Sequence, residues 1–226
     1  VVVLKGGLTD AGRQSAESHT ASLAGDGKIL DAVYRQAGIV RVSGADRAVA
    51  VADTLSKLPP SSGARVAILT DGGGTATIAA DRVKQAGLEL APLSDITRER
   101  LKERVPAAPN VANPVDIMGL QGDGDLSIFS DCAEILLDDA NVDMLFLTGA
   151  FGGYEEFGPG EGDGQESTVA QTLASLADEY AKPLLTHCIF ASQGSTALES
   201  LAKAGVPTFG SLDLAIECMD SLIQYG

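Results

Sequence analysis

Short runs of apolar and β-branched residues alternate along this chain with longer segments of helical periodicity. This alternation is typical of βα units arranged around a parallel sheet. Several of the short runs are apolar nearly throughout, as strands covered on both faces must be. The predicted strands are residues 1–5, 39–42, 65–70, 89–91, 144–148, 184–188 and 206–208.

Apolar residues recur at helical spacing between these strands. Segment 167–180 is the clearest case, because its apolar residues would line one face of a helix. Gly87 and Gly205 follow two of the predicted helices at the position of a glycine C-cap. We therefore expect an α/β fold with a parallel sheet and helices on both faces. The helices for which bounds are predicted are residues 29–36, 75–86, 126–137, 167–180, 195–204 and 212–224.

A cluster of Pro, Ser and Gly at 59–63 predicts a linker, because neither a helix nor a central strand tolerates it. Residues 64–226 are predicted to form a complete five-stranded domain. Residues 1–58 contain two predicted strands and two predicted helices, too few to close a core. Since the sequence opens on Val1 inside an apolar run, we expect a piece of a longer polypeptide whose residues 1–58 complete another domain.

The net charge excludes some classes of partner. Lys and Arg total 16 against 31 Asp and Glu, and the resulting charge of −15 repels nucleic acid and anionic membranes. No apolar run approaches the roughly 18 residues of a membrane helix. Cys132, Cys188 and Cys218 form no C-x-x-C pair, which favours a reducing cytoplasm.

Two glycine-rich turns follow predicted strands. Gly72, Gly73 and Gly74 come after the third strand, and Gly152 and Gly153 come after the fifth. Glycines at a strand-to-helix turn let backbone N–H groups approach an anion, and parallel strands would bring both turns to one edge of the sheet. The alternative is a pair of tight turns without a ligand.

Other candidate residues are two histidines and a short polar motif. His19 is predicted to lie in a small flexible loop that presents its imidazole beyond a strand, although such a histidine is commonly an ordinary surface residue. The motif Asn113-Pro114-Val115-Asp116 predicts a rigid turn, with Asp116 as a candidate ligand group. His187, at the end of a strand, is interpreted as a core or rim residue. No metal site is predicted.

Taken in order, these residues resemble the NDP-forming acyl-CoA synthetases, which include ADP-forming acetate–CoA ligase and succinyl-CoA synthetase. The segment "VVVLKGGLTDAGRQSAESHTASLAG", followed by "DAVYRQAGIVRV", resembles the phosphohistidine segment of that superfamily. Residues 64–226 resemble the flavodoxin-like C-terminal domain of the succinyl-CoA synthetase β subunit. The matching stretches are "RVAILTDGGGTATIAAD", "NPVDIMG", "ILLDDANVDMLFLTGAFGG", "KPLLTH" and "LAKAGVPTFGSLDLAIECM".

The resemblance implies that the chain is part of an enzyme interconverting acid, CoA and ATP with acyl-CoA, ADP and phosphate. His19 would carry the phosphoryl group, and Gly152 and Gly153 would match the turn that holds it at the nucleotide end. Supporting roles for the loop would fall to Ser18, Thr20, Asn113 and Asp116. The complete enzyme would use Mg²⁺, ATP or ADP, CoA and phosphate, with none bound tightly by this chain.

The implied partners are a CoA-binding domain and an ATP-grasp domain or subunit, a small carboxylic acid or its acyl-CoA, and further copies in an oligomer. The chain alone is therefore expected to be inactive. Two departures from the family pattern are Ala21, where glycine is usual, and the acidic residues after Gly153. Two other functions remain open: a non-catalytic regulatory module, for example of a protein acetyltransferase, and a ligand-binding flavodoxin-like domain.

Overall fold

The protein forms two parallel sheets in a computed structural model that describes residues 1–20, 27–106, 111–117, 125–157 and 164–226. The smaller sheet pairs β1 with β2 in parallel, with Val2 opposite Val40. Its elements are β1 (Val2–Leu4), α1 (Asp10–Thr20), α2 (Gly27–Gln36), β2 (Val40–Val42) and α3 (Ala45–Lys57).

The larger sheet has six strands, all parallel where they pair. Its strands are β3 (Arg65–Thr70), β4 (Glu89–Leu90), β5 (Val115–Asp116), β6 (Met144–Gly149), β7 (Leu184–Cys188) and β8 (Thr208–Phe209). Its helices are α4 (Gly73–Gln85), α5 (Asp95–Arg104), α6 (Ser127–Asp138), α7 (Tyr154–Phe157), α8 (Gln165–Tyr180), α9 (Thr196–Lys203) and α10 (Leu212–Tyr225).

The strand order of the larger sheet is β4-β3-β6-β7-β8, with β5 paired to β3 beyond the end of β4. Numbered along the chain without β5, this is the order 2-1-3-4-5 of flavodoxin-like folds. The chain order reverses direction between β3 and β6. Ligands of open α/β sheets bind at the carboxyl ends of strands flanking such a point.

Helices cover both faces of the larger sheet, which is why its central strands are apolar on both sides. Residues of α5, α6, α8 and α9 pack in one core with Ala67, Leu69 and Leu147 of the sheet. Residues of α4 and α10 pack on the other face with Val66 and Phe146. That second core also contains residues of β2 and α3, and the segment before the linker packs against α10.

The predicted α/β class is confirmed, and β3 and β7 have the predicted bounds. The prediction of five strands in residues 64–226 was wrong, because the rigid turn expected at 113–116 contains the two-residue strand β5. Residues 1–58 contain three helices among those described, one more than expected. Gly87 and Gly205 have φ of +83° and +89°, as glycine C-caps require. No described helix is long and apolar enough to cross a membrane.

Candidate functional site

The two glycine-rich turns lie at the same edge of the larger sheet, as the sequence predicted. Strands β3 and β6 are paired in parallel, with Thr70 opposite Thr148, so both chains leave the sheet side by side. This edge flanks the point where the strand order reverses. The turns that follow β3 and β6 therefore form the candidate site.

Asp71 ties the two turns together. Its carboxylate accepts hydrogen bonds from Ala150 N, at 3.1 and 3.0 Å to its two oxygens, and from Tyr154 Oη at 2.7 Å. Burial raises the pKa of this carboxyl group, while the hydrogen bonds oppose the shift and nearby Asp116 adds to it. Asp71 was not among the site residues predicted from the sequence, although its position directly after β3 indicates a place at this edge of the sheet.

Three backbone N–H groups of the second turn converge on one carboxylate, that of Glu166. The Oε1 atom accepts from Gly152 N at 2.5 Å and Tyr154 N at 3.3 Å, and Oε2 accepts from Glu155 N at 3.1 Å. Glu166 is fully buried. Burial raises the pKa of its carboxyl group, and the three N–H bonds pull it the other way. We call these three N–H groups the amide cradle.

Two more carboxylates cap neighbouring helices at this edge. Glu155 accepts from Ser167 N at 3.1 Å and from Ser167 Oγ at 3.2 Å, at the start of α8. Glu156 accepts from Thr196 N at 2.8 Å, at the start of α9. Negative charge is favoured at helix N-termini because the unpaired N–H groups there need acceptors. Among the acidic residues described after Gly153, the carboxylates of Glu155, Glu156 and Glu166 therefore all accept hydrogen bonds from within the fold.

Packing explains the glycines of the second turn. Gly152 has φ of +99°, and a Cβ atom there would collide with the Leu198 side chain. A Cβ atom on Gly153 would meet the ring of Phe190, whose centroid lies 5.1 Å from that of Phe157. The chain therefore needs glycine at both positions whether or not a ligand binds.

The first turn begins α4 without a side-chain cap. Gly72 is the N-cap residue, and its N–H donates to Thr70 Oγ1 at 3.3 Å. A Cβ atom on Gly73 would lie 3.2 Å from Asp116 Oδ2, so a carboxylate stands beside this turn. Gly74 faces open space. The adjacent negative charge disfavours an anion at the first turn.

The side chain of Asn113 bonds to β3 between the part of β3 that pairs with β4 and the part that pairs with β5. Its Nδ2 donates to Val66 O at 2.7 Å and to Ala91 O at 3.2 Å, and its Oδ1 accepts from Ile68 N at 2.9 Å. These bonds fill a gap in the hydrogen-bond ladder of β3. They also hold Asp116, at the end of β5, beside the first turn.

His19 lies in the last turn of α1, so the prediction that it occupies a loop was wrong. The physical reason is a capped helix start: Thr9 Oγ1 accepts from Gly12 N at 3.1 Å, and Asp10 follows in the first turn. Ser18 Oγ donates to Ser15 O at 2.7 Å. Thr20 is the last residue of the helix, and Ala21 lies outside the described residues.

His187 is buried on β7. Its Nδ1 is 2.8 Å from Thr148 Oγ1, and burial lowers the pKa of its imidazole. It is a rim residue of the sheet, as expected. Within the described part of the chain, no group of three or more His, Cys, Asp or Glu residues could hold a metal ion.

Comparisons with known proteins point to one group of enzymes. Residues 1–55 match the family described as "Succinyl-CoA ligase like flavodoxin domain". The α subunit of ADP-forming acetate–CoA ligase II from Pyrococcus furiosus is 32% identical over 212 residues, 92% of this chain and 44% of that protein. ADP-forming 4-hydroxybutyrate–CoA ligase from Nitrosopumilus maritimus is 28% identical over 225 residues, 100% of this chain and 30% of that protein.

The fold is also similar to a solved structure. Dinucleotide-forming acetyl-coenzyme A synthetase 1 from Ca. Korarchaeum cryptofilum, in complex with phosphate and ADP, superposes with a TM-score of 0.80 at 24% identity. The match covers 99% of this chain and 46% of that one. The chain thus spans less than half the length of these relatives.

Proposed function

This chain belongs to the NDP-forming acyl-CoA synthetase family, and from that premise we propose that it is part of an ADP-forming acid–CoA ligase. The complete enzyme would interconvert a carboxylic acid, CoA and ATP with acyl-CoA, ADP and phosphate. The observation that carries the proposal is the second glycine-rich turn, which lies where the strand order of the larger sheet reverses, the place where such folds bind their ligands. Similarity to the acetate–CoA ligase subunit across 92% of the chain supports it.

His19 is the proposed phosphoryl carrier. Its neutral imidazole nitrogen attacks the phosphorus of an acyl phosphate, the bond from phosphorus to the carboxylate oxygen breaks, and the acid leaves as its anion. The phosphohistidine then gives its phosphoryl group to ADP. One difficult transfer is thereby divided into two easier ones.

Gly152 and Gly153 form the proposed turn that receives the phosphoryl group, since backbone N–H groups suit phosphate oxygens. Gly72, Gly73 and Gly74 are the weaker candidate because Asp116 stands beside them. Ser18, Thr20 and Asn113 keep supporting roles in the proposal; that of Asn113 follows from its bonds to β3, through which it positions Asp116.

Partners and location form the rest of the proposal. Residues 1–58 would complete a phosphohistidine domain, with 59–63 as linker and 64–226 as a flavodoxin-like domain. The CoA-binding and ATP-grasp units belong to other parts of the enzyme, and the assembly is an oligomer. Mg²⁺ would accompany ATP, whose phosphates supply oxygen ligands for it. The three buried free cysteines suit a reducing cytoplasm.

The test is phosphorylation of a histidine in the assembled enzyme. The assembly is incubated with radiolabelled Mg·ATP, and we expect an acid-labile, base-stable phosphoryl adduct on this chain. His19→Ala abolishes the adduct. The chain has two histidines, so His187→Gln is the matched control and retains the adduct.

An adduct that persists in His19→Ala, or that disappears only in His187→Gln, would contradict the proposed role of His19. Absence of any adduct across a broad panel of acids and acyl-CoA substrates would favour the regulatory module instead.

A further inference from the structure

We propose that the outer edge of β8 binds an extended, basic peptide segment of a partner protein, which adds a strand to the larger sheet. Within the described ranges, β8 ends the strand order and pairs with β7 alone. An exposed sheet edge presents unpaired backbone N–H and C=O groups, and these groups pair readily with another chain. Neither His19 nor the second turn takes part, so the inference goes beyond the proposed function.

The backbone of β8 directs one donor and one acceptor away from the sheet. Thr186 N donates to Pro207 O at 3.0 Å, and Thr186 pairs with Thr208 in the parallel register. Successive residues of a strand point their N–H and C=O groups to opposite sides. Pro207 and Phe209 therefore face β7, while the N–H and C=O of Thr208 face outward. An incoming strand can bond to both of these groups.

A groove between α9 and the end of β8 lies beside this edge. Its volume is about 480 Å³, within the range of about 300–1,000 Å³ of pockets that hold small ligands. Leu198 and Ala202 line it from α9, Thr208 and Gly210 line it from β8 and the residues after it, and Ser192 adds a hydroxyl group. In strand addition the main-chain bonds give affinity and pockets for alternate side chains give specificity. The groove provides such a pocket next to the free edge.

Charge favours a basic occupant. Glu199 lines the groove, and its Oε2 lies 3.3 Å from Lys203 Nζ in an ion pair whose two side chains are largely exposed. An exposed pair of this kind contributes little, so a basic side chain of the peptide can replace Lys203. The net charge of −15 also attracts a basic peptide. A second copy is disfavoured, because pairing β8 with β8 of another copy brings like charges together.

The test is a titration of the ¹⁵N-labelled chain with a five-residue peptide of alternating lysine and valine, blocked at both ends. Valine suits a strand, and lysine complements Glu199. We expect weak binding that moves the Thr208 amide proton downfield, since this N–H gains a hydrogen bond. The matched probe has the same side chains but methylated backbone nitrogens, which cannot donate. We expect it to bind at least about tenfold more weakly.

Two pairs of variants locate the site. Ala202→Phe places a ring in the groove and should abolish binding, whereas Ala204→Phe, exposed and outside the groove, should bind as the wild type does. Glu199→Gln should weaken binding of the lysine peptide about two- to fivefold. Glu179→Gln on α8 changes the net charge equally at an exposed position outside the groove and should leave binding unchanged.

Absence of binding to the wild-type chain would overturn the inference, and so would equal affinity for the methylated peptide. Both measurements use the wild-type chain and do not depend on the folding of a variant. Undiminished binding in Ala202→Phe would place the peptide elsewhere and contradict the assignment of the groove. A Thr208 amide shift that follows protein concentration without peptide would identify a second copy as the occupant and exclude the peptide.

Discussion

Asn113→Ala should destabilise the fold by an amount that follows from three hydrogen bonds. The substitution removes the acceptor of Ile68 N and the side-chain donor to Val66 O and Ala91 O. Val66 O keeps the hydrogen bond from Ala91 N at 2.9 Å, so Ile68 N is the buried group left without its partner. An unpaired buried group costs about 1–3 kcal/mol, and each other lost bond about 0.5–1.5 kcal/mol. We therefore expect a loss of about 3 kcal/mol.

Urea unfolding followed by circular dichroism measures this loss as a lower midpoint with an unchanged slope. Asn141→Ala is the matched control. Its Nδ2 donates to Pro92 O at 2.9 Å in an exposed setting, where water can replace the partner. Its Oδ1 accepts from Arg65 at 3.4 Å, but Arg65 keeps its ion pair with Asp143, so we expect a change of about 0.5 kcal/mol or less. If Asn113→Ala cost no more than Asn141→Ala, the view that this side chain completes the β3 ladder would be refuted.

Two further predictions concern the same edge of the sheet. Burial lowers the pKa of His187 in the folded state, so the unfolded chain binds the extra proton at a higher pH than the folded chain does. The free energy of unfolding should therefore fall as the pH drops below the ordinary histidine pKa of 6.5. In His187→Gln, urea midpoints measured from about pH 7.5 to pH 5 should depend less on pH. Gly149→Ala should cost more than about 1 kcal/mol, since Gly149 has φ of +143° and its Cβ would collide with the Asp71 carboxylate. Gly74→Ala, at an open helical position, should be neutral or stabilising by up to about 1 kcal/mol; equal thermal unfolding temperatures for the two glycine variants would contradict the steric argument.

Hydrophobic periodicity was sufficient to predict the central strands but not the polar helices. Strand β3 was predicted with its observed bounds because its buried residues form one continuous apolar run. Helix α5 was missed because it is mostly charged, and among its residues only Thr97 and Leu101 are buried. Its signal lies at the ends instead: Ser94 Oγ accepts from Thr97 N at 3.2 Å, and basic residues occupy the last turn. A search for caps would have found α5, and α1 with it.

The glycines of the second turn were selected from the sequence as anion-binding residues, but packing against neighbouring side chains also requires them. Two glycines after β6, Gly152 and Gly153, suggested an anion site, yet each is required by a neighbouring side chain. In this chain the N–H groups of the amide cradle donate to the buried carboxylate of Glu166. Sequence spacing could not reveal this contact, because it depends on how the first turn of α8 folds back onto the start of α7. The same glycine pattern therefore fits an enzyme that transfers a phosphoryl group and a module that has replaced it with a carboxylate. The His19 adduct is the measurement that separates the two.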